Sequence, residues 1–177
     1  MKKAIFSLFA LALMLVLLTL CVGAASELDI PYAVEGGNIY FDKNYGVVTY
    51  ADPGITKADI PAEIDGVAVR WIAFGAFDGC TLLTDVTIAE GVSGIGERAF
   101  GNCSSLRSID LPDSITEIGK DVLYESAYFS DENNWDGAAL YLDHWLIDAD
   151  ISALSGDYEI LPGTTGIAAG ALNSCGN

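Results

Sequence analysis

Apolar side chains fall at fixed slots through the middle of the chain. Ile72, Ala76, Phe77, Cys80, Leu83, Val86 and Ile88 are followed, at a constant offset of 23, by Ile95, Ala99, Phe100, Cys103, Leu106, Ile109 and Leu111. A second step of 23 reaches Ile118, Val122, Leu123 and Ser126, after which the pattern fades. One constant period with fixed apolar slots predicts a solenoid in which each repeat forms a coil and equivalent side chains stack into ladders. Within a coil, Leu83 to Ile88 and Leu106 to Leu111 approach the alternation of a half-buried strand. Pro61 and Pro112 stand where those strands should stop, since proline supplies no ladder donor. Ile115 to Ile118 predicts a second, shorter strand. Residues 97–102 have the length of one helical turn, with Ala99 and Phe100 facing inward. A handful of apolar side chains cannot offset the entropy of ordering a whole repeat, so each coil depends on its neighbours.

The slots from Ile88 through Gly94-Ile95-Gly96, Ala99-Phe100, Cys103 and Leu106 to Ile109 resemble the BspA-like leucine-rich repeat of bacterial surface proteins. The resemblance covers residues 36–177 and implies a leucine-rich-repeat solenoid, mostly β with one-turn helical segments. It implies adhesion, with host matrix proteins or other microbial surfaces as partners, but it identifies no ligand.

The flanks of the repeats divide the rest of the chain. Residues 1–25 carry Lys2 and Lys3, an apolar run from Ala4 to Val22 and the small residues Gly23, Ala24 and Ala25, the pattern of a cleaved signal peptide. A retained membrane anchor is the rival reading, because the apolar run approaches spanning length. Residues 26–35 are expected to be a linker. Residues 36–58 hold two β-rich runs around Asp42 to Gly46, which predicts a hairpin capping the first coil. The array is then 59–177. Its register returns at Ile167, Ala171 and Leu172, offset by 49 from Ile118, Val122 and Leu123. That offset predicts one atypical repeat at 134–159, with a hairpin turning at Asp143-His144. The chain stops at Asn177 before the next strand slot, which suggests truncation of a longer protein, with a natural stop as the alternative.

Charge narrows the partners. The formal net charge is −17, and removing Lys2 and Lys3 from the 8 Lys+Arg leaves 6 against 25 Asp+Glu, near −19. Such a surface repels phosphate backbones and anionic headgroups, so nucleic acid is excluded and a membrane is met only through the signal segment. Cys80, Cys103 and Cys175 share one slot, which suits small buried hydrophobes. A Cys80–Cys103 bridge between coils stays open.

Little points to chemistry. His144 is the only histidine and is expected in a turn, without the nucleophile and orienting carboxylate of a general base. Gly91 to Gly96 lacks the glycine order and following helix of a phosphate loop. Leu161 to Thr165 is one residue short of a sorting motif. The acids between Asp131 and Asp157 match no calcium loop. No catalytic residue, metal site or cofactor is expected. Binding is expected on the outward strand positions Thr84, Asp85, Thr87, Arg107, Ser108 and Asp110. Trp135 and Tyr141 are candidates for stacking on a glycan, with Trp135 expected to be exposed. The expected function is a non-catalytic secreted or cell-surface module for adhesion or protein–protein interaction. The alternatives are a carbohydrate-binding or targeting module of a larger secreted enzyme, and a structural spacer.

Overall fold

A computed structural model describes residues 29–150, 153 and 158–173. The expected signal segment and Cys175 lie outside the described residues.

The repeat slots become two parallel ladders on opposite walls of a β-solenoid of about five coils. The first ladder joins β4 (Lys57–Ile60), β8 (Asp85–Ile88) and β10 (Ser108–Asp110), with Val86 paired to Ala58 and Ile109 to Val86. The second joins the very short strands β7 (Trp71–Ile72), β9 (Gly94–Ile95) and β11 (Glu117–Ile118), paired in register at the repeat offset. Ile72, Ile95 and Ile118 point inward, as do Phe77, Phe100 and Leu123, and all six are buried. The Phe77 and Phe100 rings stack with centroids 5.0 Å apart.

The first repeat is longer than the others. Lys57 pairs with Asp85 at an offset of 28 rather than 23, because the small hairpin of β5 (Glu63–Ile64) and β6 (Val67–Ala68) is inserted between β4 and β7. The first ladder therefore begins at Lys57. The described part of the expected linker, from residue 29, is structured: β1 (Ile30–Val34) pairs antiparallel with β2 (Gly37–Asp42), and β2 with β3 (Val47–Ala51). β3 then pairs in parallel with β7, so this meander covers the end of the second ladder.

The segment 97–102 forms consecutive turns rather than a helical turn. Ala99 N–H donates to Gly96 O and Gly101 N–H to Arg98 O. Two left-handed residues interrupt any helix, and they recur with the repeat: Gly75, Arg98 and Asp121 at one slot, Gly79, Asn102 and Glu125 at the other. Regular helix requires right-handed dihedrals throughout, so the slot forbids it. The carbonyls of this segment are satisfied by the adjacent coil, for example Phe77 N–H on Ala99 O at 2.8 Å, and its amides likewise, as with Phe100 N–H on Val122 O at 3.0 Å.

Ser126 ends the regular array. It occupies the slot of Cys80 and Cys103, is buried, and its Oγ accepts the Phe129 N–H at 3.0 Å. That cap starts α1 (Ala127–Ser130), which a 3-10 turn (Glu132–Asn134) follows. β12 (Trp135–Asp136), β13 (Ala139–Leu142), β14 (Trp145–Ala149) and β15 (Gly166–Ile167) form a separate four-stranded sheet. Leu142 pairs with Trp145 around the turn Asp143-His144, and β14 pairs in parallel with β15, Leu146 opposite Ile167. The coil from Ile118 to Leu146 is thus a long one, with an offset of 28, and the next, from Leu146 to Ile167, is short, with an offset of 21. The atypical repeat begins before the expected 134, because α1 and the 3-10 turn hold its extra length.

Candidate functional site

The β4–β8–β10 ladder builds one continuous outer face. Ala58, Val86 and Ile109 point into the core, so their neighbours point out in two rows: Lys57, Asp85 and Ser108, then Asp59, Thr87 and Asp110. A third row precedes them, where Thr84 N–H donates to Thr56 O and Arg107 N–H to Thr84 O. The structure brings together all six strand residues expected from the repeat pattern. It adds Lys57 and Asp59, which the greater length of the first repeat hides in the sequence. The alternation Lys57-Ala58-Asp59-Ile60 carries that signal.

The rows differ in how firmly they are held. Lys57 Nζ lies 3.7 Å from Asp85 Oδ2, and the Thr84 hydroxyl donates to the same oxygen at 2.6 Å, with Thr56 O also within 3.0 Å. An exposed ion pair of this kind contributes at most about 1 kcal/mol, so its effect is orientation. Asp59, Thr87, Ser108 and Asp110 make no side-chain hydrogen bond among the described residues.

At its C-terminal edge the face runs into a polar recess of about 590 Å³ beside Arg107, lined also by Ser104, Ser130, Asp131 and Asn133. The Asn133 backbone and side-chain N–H groups donate to Asp131 Oδ1 at 3.0 and 2.7 Å. These bonds, with the positive charge of Arg107, hold the Asp131 carboxyl below the usual carboxylate range.

Trp135 and Tyr141 lie on the other sheet. Contrary to expectation, Trp135 is half-buried: its Nε1–H donates to Phe129 O at 2.8 Å, and its ring meets the Phe129 ring edge-on at 5.3 Å. Its asparagine-rich flank suggests exposure, but those asparagines belong to the 3-10 turn that folds the ring back. The Tyr141 hydroxyl lies 3.2 Å from that of Tyr158 and accepts the Leu161 N–H at 3.2 Å. Trp135 is thus engaged within the long coil, and Tyr141 with the short coil that follows it.

Cys80 and Cys103 are free, buried thiols. Cys103 Sγ donates to Phe77 O at 3.1 Å. Burial pushes the Cys80 thiol up to about 11 and the Cys103 thiol up to about 12. Thiols so placed are core groups and poor nucleophiles. His144 is exposed in its turn. Among the described residues, no group of three or more His, Cys, Asp or Glu side chains is arranged to hold a metal ion.

Two ladders, buried identical slots and an outward strand face define a repeat-built binding scaffold. Residues 50–133 match the model of the BspA type leucine rich repeat region in six copies, and this stretch is a BspA-type leucine-rich repeat array. Among solved structures the chain is similar to the leucine rich repeat protein of T. pallidum, at 26% identity and a TM-score of 0.42, over 59% of this chain and 46% of that one. A leucine-rich repeat protein of Bacteroides capillosus matches at 27% identity and 0.43, over 52% and 73%. A leucine rich cell surface protein of Faecalibacterium prausnitzii matches at 23% identity and 0.44, over 55% and 29%. The chain thus spans less than half the length of the T. pallidum protein. No curated protein matches it.

Proposed function

We propose that this chain is a non-catalytic, secreted or surface-displayed module that binds other proteins through its β4–β8–β10 face, as part of adhesion. The observation that carries the reading is the in-register placement of Arg107, Ser108, Asp110, Thr84, Asp85 and Thr87 on one outward face. Their backbones are fixed by the ladders while Ser108, Thr87 and Asp110 stay free to meet a partner. The N-terminal Lys2, Lys3 and apolar run support export. The glycan reading gains nothing from the geometry, because Trp135 and Tyr141 spend their polar groups within the fold.

The test is binding of the purified chain to immobilised extracellular-matrix extract and to intact bacterial cells. The triple variant Thr87→Arg, Arg107→Glu, Asp110→Lys should lose the signal, and Trp135→Phe should keep it. A triple variant that binds as well as the parent sinks the strand-face reading. A parent chain that binds neither surface sinks adhesion and leaves the spacer alternative.

A further inference from the structure

The second ladder skips one rung. At equivalent slots, Gly46 O accepts from Arg70 and Trp71 N–H, Arg70 O from Ser93 N–H, and Ser93 O from Thr116 and Glu117 N–H. In the last pair of coils His144 O accepts from Thr165 and Gly166 N–H. Between them, Thr116 O accepts no hydrogen bond among the described residues, and β11 ends its sheet. A cleft of about 720 Å³ opens there, with Thr116 and Glu117 on one wall and the His144–Trp145 turn, Thr165 and Ile167 on the other. It narrows to a wedge at its base, where Ala169 N–H donates to Ile118 O at 2.8 Å.

We propose that this wedge receives an extended, cationic segment of a partner protein, which adds to the open edge of β11. An exposed strand edge offers main-chain hydrogen bonds to any extended chain, and here Thr116 O is the unused acceptor. Charge selects the occupant. Asp113, Glu117 and Asp143 line the cleft and all three are exposed, while none of its lining residues is Lys or Arg. None of the three acids forms an ion pair among the described residues. A Lys or Arg side chain on the incoming strand enters a field set by all three. Buried Trp145 and Ile118 form its apolar floor, which suits a β-branched neighbour beside the cation. The wedge lies on the short-strand wall, so it stands independently of the strand-face reading.

The probe is a fluorescein-labelled hexapeptide of alternating Val and Lys, titrated with the whole chain at low salt and followed by anisotropy. A second peptide has Glu in place of Lys. The Lys peptide is expected to bind, and Glu117→Lys with Asp113→Lys is expected to weaken it at least tenfold. Arg107→Glu, on the opposite wall, should leave it unchanged. Both Glu117 and Asp113 are exposed, so their replacement leaves the core intact, which the unchanged urea midpoint should confirm. Amide chemical shifts should move at 111–118 and 143–145. Equal binding of the Glu peptide, insensitivity to the double reversal, shifts on the strand face instead, or no binding at about 1 mM chain would each overturn the proposal.

Discussion

The regular coils and the long coil bury their chains by different means. In the regular coils the core is made by repetition: Ile72, Ile95 and Ile118 stack in one slot, Phe77 over Phe100 in another and Cys80 over Cys103 in a third, while other slots exchange one apolar residue for another, as Val86 for Ile109. In the long coil the core is made by individual contacts. Ser126 caps α1, the Tyr128 hydroxyl donates to Tyr141 O at 2.9 Å, and the Trp135 indole is tied to Phe129 O. A ladder spreads the effect of one change over neighbouring coils, as expected of one-dimensional repeat energetics. A network of single contacts confines it. The long coil therefore fails locally where the regular coils fail together.

The sharpest way to break this comparison is Phe100→Ala. Phe100 is fully buried against Phe77. The loss is expected at about 3–5 kcal/mol, seen as one cooperative drop in the urea midpoint of the whole array. Ser126→Ala should cost about 1–2 kcal/mol, because the Phe129 N–H loses its acceptor. Hydrogen exchange should then accelerate in 127–136 while Phe77 and Phe100 amides keep their protection. Equal acceleration in both regions would erase the distinction. Glu125→Gly tests the left-handed slot, where φ is 54°. Relief of that backbone strain exceeds the added chain entropy of glycine, so a gain of about 0.5–1 kcal/mol is expected from the same urea titration.

The smallest effect is electrostatic. Burial raises the Asp148 carboxyl above the usual range, against the hydrogen bond that its Oδ1 accepts from Ala149 N–H at 2.8 Å. A raised carboxyl favours the fold only while protonated, so its contribution is present in acid and is lost as pH rises through its folded value. Asp148→Asn should therefore raise the urea midpoint slightly at neutral pH and leave it unchanged at pH near 3. A gain that is larger in acid would reverse the assignment.

The period of 23 is enough to place both ladders, since Ile72, Ile95 and Ile118 can only stack if they share an inward direction. The six strand-face residues follow from the same register. What the pattern does not carry is local turn chemistry. Arg98 and Asp121 hold left-handed dihedrals that only the Gly75 of the first coil advertises, so the segment reads as helical in the sequence. β1 is not legible because Ile30-Pro31-Tyr32 is too short to show alternation and its pairing with β2 is a tertiary event. The long coil escapes because its offset changes from 23 to 28 and then 21, and an average over the two conceals where the extra residues sit. Trp135 misleads for the same reason: burial there depends on Phe129, earlier in the same coil, and not on any repeat.

The skipped rung also has a mechanical meaning. A solenoid pulled along its axis carries load through the backbone bonds between successive coils, and among the described residues the backbone–backbone bond at this seam on the short-strand wall is that from Ala169 to Ile118, beside the Leu111 N–H that meets Asp143 Oδ2 at 3.4 Å. The coils on the N-terminal side carry several such bonds per step. The chain is thus built with a fuse near its C-terminal end, where tension parts the last coils first and leaves the strand face folded. Single-molecule stretching should register this as a low-force step that precedes rupture of the regular coils, and a single simultaneous rupture would rule it out.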